Sequence, residues 1–399
     1  MLEDSNSLPA AIVVGLDCIT GLQLARTLHY RGVQVIGIAG AARHFATRTR
    51  CVSNVFFVKP GAANLIDCLR GLSNSNPSVL LPATDLAVSC VAEHSDELST
   101  LFRLANPDPT SIQRSLGKVP FTHHARQHGT PIPRTRFVEN LENLRDAARE
   151  LLAPFVLKPN VKTKLWDDLA GAKVIYAADG AALEQAYLRC RDWSDQFIVQ
   201  EWVGGGDDAM YSYYAFNAAD GRVVAECVGH KIRQWPRLTG SGTLSEICDE
   251  PEICKTGRVL LESLDHKGFA TVNMKRDPND GTLFVIEANL GRPGMGMFVA
   301  EAAGIELTYL AYRSLAGLPM STVPQVRFPK SRWVGLKRDM AAAFAGWRKG
   351  ELSLAAYLRS MRGVRRRAVF DLRDPLPFLY DVLRSPMQMC QRQSNHNIL

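Results

Sequence analysis

A chain of 399 residues, 46% of them hydrophobic and with a mean hydropathy of -0.08, has the composition of a globular, multidomain protein. Its nine cysteines are odd in number and never spaced as CxxC, which argues against structural zinc and for a reducing, cytoplasmic compartment. The net charge of +7 belongs to residues 321–399, where 15 Lys and Arg accompany 5 Asp and Glu, so an anionic partner or solvated helix faces are expected there.

The first predicted elements form a βαβ unit. Residues 11–14 read as a buried strand, 21–28 as an amphipathic helix and 33–38 as a second strand. A dinucleotide fingerprint needs another glycine two residues after Gly15, but the chain has Asp17 there. No acidic residue ends the second strand to hold a ribose hydroxyl. The unit therefore predicts a doubly wound fold rather than a nicotinamide site.

The pattern changes after a linker rich in Pro and Asp. Alternating strands and helices up to residue 110 predict an α/β domain with a parallel sheet. Beyond the linker, longer strands and hairpin turns at 177–180, 217–222 and 277–281 indicate an α+β region. We therefore expect at least two domains.

The strongest local signal is GFATVNMKRDPNDGTLFVIEANLGRPG, residues 268–294. Asn273 lies on a predicted strand, DPNDG reverses the chain, and Glu287 and Asn289 share one face of the returning strand. Two amide oxygens and a carboxylate suit Mg²⁺ that holds nucleotide phosphates, and a polar hairpin edge is the alternative. Arg292 follows in a glycine-rich turn, where it is expected to meet a developing negative charge.

Two upstream segments point to a nucleotide. Lys158 ends the apolar strand of PFVLKPN, where a lone lysine is expected to meet an anion. In QFIVQEWVGGGDD, a buried strand runs into Glu201, Trp202 and Val203, whose backbone suits an adenine edge, and then into Asp208, which suits ribose hydroxyls. Taken alone, GGGDD is equally well explained as a loop.

The order of these residues resembles that of the ATP-grasp superfamily, whose members bind ATP between two α+β subdomains. The resemblance covers about residues 11–320, and the hairpin with its E-x-N pair is its specific part. It implies a Rossmann-like preceding domain at 1–110, ATP-grasp subdomains at 111–200 and 201–320, and a basic, mainly helical extension at 321–399. By position it implies these roles: phosphate binding for Lys118, Lys158 and Lys173; adenine contact for Glu201, Trp202 and Val203; ribose contact for Asp208; metal binding for Asn273, Glu287 and Asn289.

Two departures from the superfamily pattern narrow this resemblance. The small glycine-rich phosphate loop is replaced by NVKTKLWDDLAGAKV, which contains Lys162, Lys164 and Lys173. This basic loop is similar to that of the carboxylate–amine ligase branch that includes D-aspartate ligase. The arginine usually found two residues after the metal asparagine is displaced by one place, to Arg292.

The resemblance implies an ATP-dependent ligase that uses Mg²⁺, with Mn²⁺ as an alternative. A substrate carboxylate attacks the γ-phosphate to give an acyl phosphate, and an amine then displaces phosphate to form an amide. A kinase, a ligase with a non-amine nucleophile and a non-catalytic nucleotide-binding protein remain as alternatives. The sequence does not identify the two substrates, which we expect to be amino acids or peptide-like molecules.

The segment GHKIRQWPRLTGSGTLSE, residues 229–246, carries the prediction for the acceptor side. We expect Lys231 to meet phosphate. We expect Arg233 to hold the substrate carboxylate, because its planar guanidinium binds a carboxylate through two hydrogen bonds. A solvated surface loop is the alternative.

The basic tail predicts helices whose apolar residues pack on the core with the arginines outward. The positions concerned are Phe344, Trp347, Leu354, Tyr357 and Leu358. Because these residues fall at core spacing and no known module is present, nucleic-acid binding is not expected, whereas a homodimer is compatible with the sequence. The N-terminus shows no signal-peptide pattern and no apolar run reaches membrane length, so no membrane span is expected.

Overall fold

The computed structural model describes residues 8–59, 61–105, 108–161, 163–170, 173–320 and 326–384. The chain divides into two compact units. The first contains Met1–Ala105, Thr308–Thr322 and Arg367–Leu399, and the second contains Asn106–Leu307 and Val323–Arg366.

The strands, in chain order, are β1 (Ala11–Val14), β2 (Val35–Ala39), β3 (Asn54–Phe57), β4 (Val79–Pro82), β5 (Thr135–Val138), β6 (Phe155–Pro159), β7 (Ile175–Ala177), β8 (Phe197–Glu201), β9 (Met210–Asn217), β10 (Val223–Trp235), β11 (Ser241–Cys248), β12 (Gly268–Arg276), β13 (Leu283–Leu290), β14 (Arg332–Val334) and β15 (Val364–Arg367). The helices are α1 (Ile19–His29), α2 (Ala62–Leu72), α3 (Asp85–Glu93), α4 (Ser95–Leu101), α5 (Pro109–Leu116), α6 (Lys118–Gln127), α7 (Leu141–Glu150), α8 (Lys164–Leu169), α9 (Gly180–Cys190), α10 (Pro251–Ser263), α11 (Val299–Ala303), α12 (Leu307–Leu315), α13 (Leu336–Arg348) and α14 (Leu354–Ser360).

The first unit contains a four-stranded parallel sheet in the order β3-β2-β1-β4. The central strand β1 is buried along its whole length because all four of its residues are apolar. Helix α1 begins beside it, where the Cys18 sulfur accepts a hydrogen bond from the Gly21 N–H. The predicted βαβ unit and parallel sheet are confirmed.

The turn after β1 is closed by the protein itself. Gly15 has a φ of 93°, a left-handed value that favours glycine, and an added Cβ would lie 2.7 Å from the Thr84 side chain. Asp17 accepts hydrogen bonds from the Gly40 and Ala41 N–H groups, at 3.0 and 2.7 Å. The residue that replaces a fingerprint glycine therefore ties the turn to the loop that follows β2.

The last described segment of the chain belongs to the first unit. The Arg26 guanidinium of α1 is 1% exposed and pairs with the fully buried Asp374 carboxylate at 2.9 Å. It also donates to the Val369 and Asp374 carbonyls. The stretch 321–399, expected as one extension, is thus divided between the two units, because Asp374 supplies the charge that the buried Arg26 requires. Residues 321–325 and 385–399 of that stretch lie outside the described residues.

The second unit contains two sheets and has the α+β organisation expected from the hairpin turns at 217–222 and 277–281. The turn predicted at 177–180 is not a hairpin, because Asp179 caps helix α9 there. The smaller sheet is antiparallel, in the order β5-β8-β6-β7, and its apolar face packs against α7 and α9. The larger sheet has seven strands in the order β13-β12-β9-β10-β11-β14-β15. Its β12–β13 hairpin pairs Asn273 directly with Glu287, as the DPNDG turn predicts.

Helices α13 and α14 differ from their prediction. Phe344, Trp347, Leu354 and Leu358 are 57–69% exposed, although their spacing favoured burial. The buried face of α13 is formed instead by Ala342, Gly346 and Asp339. The prediction was wrong because a buried arginine, described below, lies against this face and needs the Asp339 carboxylate.

None of the helices in the described part of the chain combines the length and the apolar character that a bilayer crossing requires.

Candidate nucleotide-binding site

A cavity in the second unit draws side chains from both of its sheets. Five lysines line it: Lys118, Lys158, Lys173, Lys231 and Lys275. Glu201, Trp202 and Val203 form one wall, and Asn273 and Glu287 form another. Most of the residues expected from the sequence to bind a nucleotide are therefore brought together.

Glu287 lies at the centre of the lysine cluster. Its Oε1 is 3.8 Å from the Lys173 Nζ. Lys173, and then Lys118, Lys231 and Lys158, hold the pKa of the Glu287 carboxyl far below its usual range. The carboxylate therefore stays ionised, and the cluster retains a large excess of positive charge for an anion to balance.

Lys158 is the penultimate residue of β6, and its side chain is buried. Its Nζ donates to the Gln200 Oε1 at 2.5 Å, and the Gln200 Nε2 donates to the Thr135 Oγ1 at 2.8 Å. Burial, reinforced by the charge of Lys118, lowers the pKa of Lys158 to about 8. A buried ammonium without a carboxylate in direct contact is poised to bind an anion.

Lys231 reaches the cavity from β10. Burial, reinforced by the charge of Lys173, lowers its pKa to about 8 as well. The pairing of β10 with β11 shifts register on both sides of Arg233. As a result, Lys231 and Gln234 both line the cavity although they are three positions apart in a strand.

The Arg233 side chain does not line this cavity. Its Nε and Nη2 donate to the two oxygens of the Asp339 carboxylate on α13, at 2.9 and 2.8 Å. Its Nη1 donates to the Ser360 Oγ at 2.7 Å, and its guanidinium lies 5.1 Å from the centre of the Tyr357 ring. The guanidinium that we expected to hold a substrate carboxylate is thus occupied by a carboxylate of the protein, which favours a structural role.

The proposed metal ligands converge on one oxygen. The Asn273 Nδ2 lies 2.9 Å and the Asn289 Nδ2 3.4 Å from the Glu287 Oε1, while the Ser212 hydroxyl donates to the Asn273 Oδ1. Rotation of the two amides would turn their oxygens toward the carboxylate, so the three residues fit a hard cation such as Mg²⁺. Among the described residues, no group of three or more His, Cys, Asp and Glu could hold a metal ion.

Residues 201–203, which we call the hinge, are held in place by hydrogen bonds to other segments of the second unit. The Glu201 carboxylate accepts from the Arg134 Nη1 and the Leu152 N–H, at 3.0 and 2.8 Å, so it is directed toward the protein. The Trp202 N–H donates to the Pro154 carbonyl. The Glu201 N–H also donates to the Arg134 carbonyl, so the side chain and the N–H of Glu201 are both bound within the protein.

Lys275 was missed in the sequence. Its Nζ donates to the Val203 and Gly205 carbonyls, at 2.9 and 3.0 Å, and lies 4.1 Å from the centre of the Trp202 ring. Burial lowers the pKa of Lys275 to about 8. The available signal was a lysine on an otherwise buried strand, the same signal that identified Lys158.

Asp207, rather than Asp208, is the buried acid of the GGGDD segment. Its carboxylate accepts from the Gln234 and Leu238 N–H groups, at 2.9 and 2.7 Å, and so holds a turn that lines the cavity. Asp208 is exposed and does not line the cavity. Its predicted contact with ribose remains a proposal.

Two other predicted residues also lie outside the cavity lining. Asn289 reaches the site only through the Glu287 carboxylate, and the Arg292 Nη1 approaches the Pro293 carbonyl at 3.5 Å. Lys162, in the basic loop, lies outside the described residues. The catalytic role of Arg292 remains a proposal.

We expect the affinity of this cavity for ATP to fall with rising pH. Lys158 and Lys231 are charged below their pKa values of about 8 and lose that charge above pH 8. The dissociation constant of ATP, measured by calorimetry between pH 7 and 9.5, should rise on the order of tenfold per unit above pH 8 for each lysine. Lys158→Arg, which keeps its charge, should flatten part of this rise, and a flat wild-type profile would contradict the role of both lysines.

No family model matches the chain. D-aspartate ligase of Enterococcus faecium (strain Aus0004) is 27% identical over 243 residues, which cover 58% of this chain and 57% of that protein. The L-amino acid ligase of Bacillus licheniformis has a similar structure, with a TM-score of 0.59, 17% identity and coverage of 78% and 75% of the two chains. A biotin carboxylase domain dimer of Hydrogenobacter thermophilus 2-oxoglutarate carboxylase, in complex with MgADP, ADP and bicarbonate, has a TM-score of 0.62, 13% identity and coverage of 79% and 71%.

The chain is a homologue of D-aspartate ligase at 27% identity. The resemblance to D-aspartate ligase drawn from the order of its residues is thereby confirmed. The solved structures share its mixed α/β fold. The chain spans 57% of the length of D-aspartate ligase.

Proposed function

We propose that this ATP-grasp protein is an ATP-dependent carboxylate–amine ligase that forms an amide bond through an acyl phosphate. The observation that carries the proposal is the ring of Lys118, Lys158, Lys173 and Lys231 around the ionised Glu287. Such an excess of positive charge, with Lys158 and Lys231 buried, suits a polyphosphate. The relationship to D-aspartate ligase and the likeness to L-amino acid ligase support amino acids as substrates.

We assign the lysines to the phosphates of ATP and the hinge to its adenine. The backbone of Glu201 and Val203 would face the adenine edge, and Lys275 would hold this hinge in place through the Val203 carbonyl. Lys158 and Lys231 would offset the charge that spreads over the γ-phosphoryl oxygens during transfer.

Asn273, Glu287 and Asn289 would hold Mg²⁺, whose presence with ADP in the biotin carboxylase domain supports this choice over Mn²⁺. When bound, Mg²⁺ would neutralise phosphate charge and orient the γ-phosphoryl group. Glu287 supplies the permanent charge of the ligand set, and the Ser212 hydroxyl fixes the Asn273 side chain.

The acyl-phosphate route requires one oxygen of the substrate carboxylate to leave with the phosphate. The purified protein should therefore be supplied with ATP, Mg²⁺ and pooled amino acids whose carboxylates carry ¹⁸O. We expect one ¹⁸O atom in each phosphate released and a new product with the mass of an amide. Amide formation with unlabelled phosphate would contradict the acyl phosphate.

The same reaction distinguishes an amide-forming ligase from the three alternatives, which are a kinase, a ligase with a non-amine nucleophile and a non-catalytic nucleotide-binding protein. A stable phosphorylated product without an amide would instead support a kinase, and an ester or thioester would support a non-amine nucleophile. ATP binding without any substrate-dependent ADP would support a non-catalytic role.

A further inference from the structure

Helix α13 presents an apolar stripe to solvent. Met340, Phe344 and Trp347 stand at positions i, i+4 and i+7, so they lie on one face of the helix. Each of them is 57–61% exposed, and the rings of Phe344 and Trp347 lie 5.8 Å apart. Large apolar side chains grouped in this way on a surface are typical of an interaction site.

Helix α14 adds two more exposed apolar residues, Leu354 and Leu358, at positions i and i+4. Both helices are fixed to the same point of the second unit, because the Arg233 guanidinium binds Asp339 of α13 and Ser360 of α14. We call Met340, Phe344, Trp347, Leu354 and Leu358 the apolar ridge. The ridge is therefore held on a rigid base rather than on a loop.

Exposed cations flank the apolar ridge. Lys337 stands near the start of α13, Arg348 and Lys349 stand at its end, and Arg359 and Arg362 belong to α14 or follow it. The acidic residues of this segment, residues 336–362, are both paired. Asp339 is buried against Arg233, and Glu351 forms an ion pair with Arg237. This segment therefore carries a net positive charge beside its exposed apolar residues.

These charges exclude two occupants. A second copy of the chain docked through the same ridge would bring its cations against those of the first, which is unfavourable. Residues 385–399 carry one arginine and no acidic residue, so they do not complement the ridge either. The ridge requires an occupant that is both apolar and anionic.

We propose that the apolar ridge docks on the surface of an anionic lipid bilayer. Tryptophan, phenylalanine and leucine favour the boundary between headgroups and acyl chains, and flanking lysines and arginines bind lipid phosphates. The mode is peripheral: the ridge lies at the level of the headgroups. This proposal does not depend on the ligase activity.

The full-length protein should be sedimented with vesicles of phosphatidylglycerol and phosphatidylcholine, and with vesicles of phosphatidylcholine alone. We expect binding to the anionic vesicles, at least about tenfold weaker binding to the neutral ones, and a strong decrease at about 0.5 M salt. Phe344→Ser/Trp347→Ser should reduce binding to the anionic vesicles at least about tenfold. The matched control is Leu152→Ser/Leu188→Ser, which removes two exposed leucines of the same unit and should bind like wild type.

A second measurement reports on the ridge directly. Trp347 emission should shift to shorter wavelength on addition of anionic vesicles, and Trp347→Phe should remove that shift from the signal of the six tryptophans. No binding to anionic vesicles, or equal losses in the two double variants, would overturn the proposal. A dimer that sedimentation velocity detects in wild type and not in Phe344→Ser/Trp347→Ser would identify a second copy as the occupant and would also overturn it.

Discussion

Glu287→Gln should lower the rate of ATP-dependent ligation by roughly 10²–10³-fold while leaving the fold intact. The change removes the charged oxygen that we assign to Mg²⁺ and on which the two asparagine amides converge. It also removes the anion that lies among Lys173, Lys118, Lys231 and Lys158. Metal-dependent steps should therefore fail, whereas the lysines gain an unbalanced positive charge.

This loss of charge predicts opposite effects on two binding measurements. Without metal, ATP should bind Glu287→Gln at least as tightly as wild type, because the competing carboxylate is gone. With Mg²⁺, the gain in ATP affinity that we expect for wild type should be absent. Glu252→Gln, which alters an exposed ion pair with Arg276, is the matched control and should leave both values unchanged. Weaker metal-free binding by Glu287→Gln would contradict the assignment of Glu287 to the metal.

The parts of the molecule that the sequence predicts well are those built from local patterns. The βαβ unit follows from apolar periodicity, and the pairing of Asn273 with Glu287 follows from one turn between adjacent strands. Lys158 stood out because a single lysine interrupts an apolar strand. In each case the signal lies within a few residues of the feature.

The parts that escaped prediction depend on partners far apart in the chain. Arg233 and Asp339 are separated by 106 positions, and nothing near Arg233 indicates that its guanidinium is already bound. The sequence around Arg233 predicts contact with a substrate carboxylate. Arginine binds a carboxylate of a substrate and a carboxylate of the protein in the same geometry, so the residue type does not distinguish them. The same pair explains why α13 buries Asp339 and exposes Phe344, since a buried cation requires an anion more than an aromatic ring requires burial.

Two functions predict different results for Arg233. If the guanidinium held a substrate carboxylate, Arg233→Lys would raise the KM for that substrate and leave stability unchanged. The structure favours the reverse: a lysine cannot make the bidentate contact with Asp339, so the protein should lose stability and the KM of the folded fraction should stay near wild type.

The largest loss of stability is expected for Asp339→Asn. Asp339 is fully buried and accepts hydrogen bonds from the Arg233 Nε and Nη2 and from the Thr243 hydroxyl. Removing its charge leaves the Arg233 guanidinium, itself only 10% exposed, without a counter-ion. The free energy of unfolding, measured with denaturant, should fall by about 3–5 kcal/mol.

Asp146→Asn is the matched control, because Asp146 pairs with Arg149 while both side chains are more than half exposed. Asp146→Asn should lower the free energy of unfolding by less than about 1 kcal/mol. Replacing both buried partners, as in Arg233→Met/Asp339→Leu, should cost less than Asp339→Asn alone, since no unpaired charge is then left inside. The single variants Arg233→Met and Asp339→Leu complete the comparison. If the double variant loses as much free energy of unfolding as these two variants added together, the two side chains act independently, and Arg233 is again open to a role at the substrate.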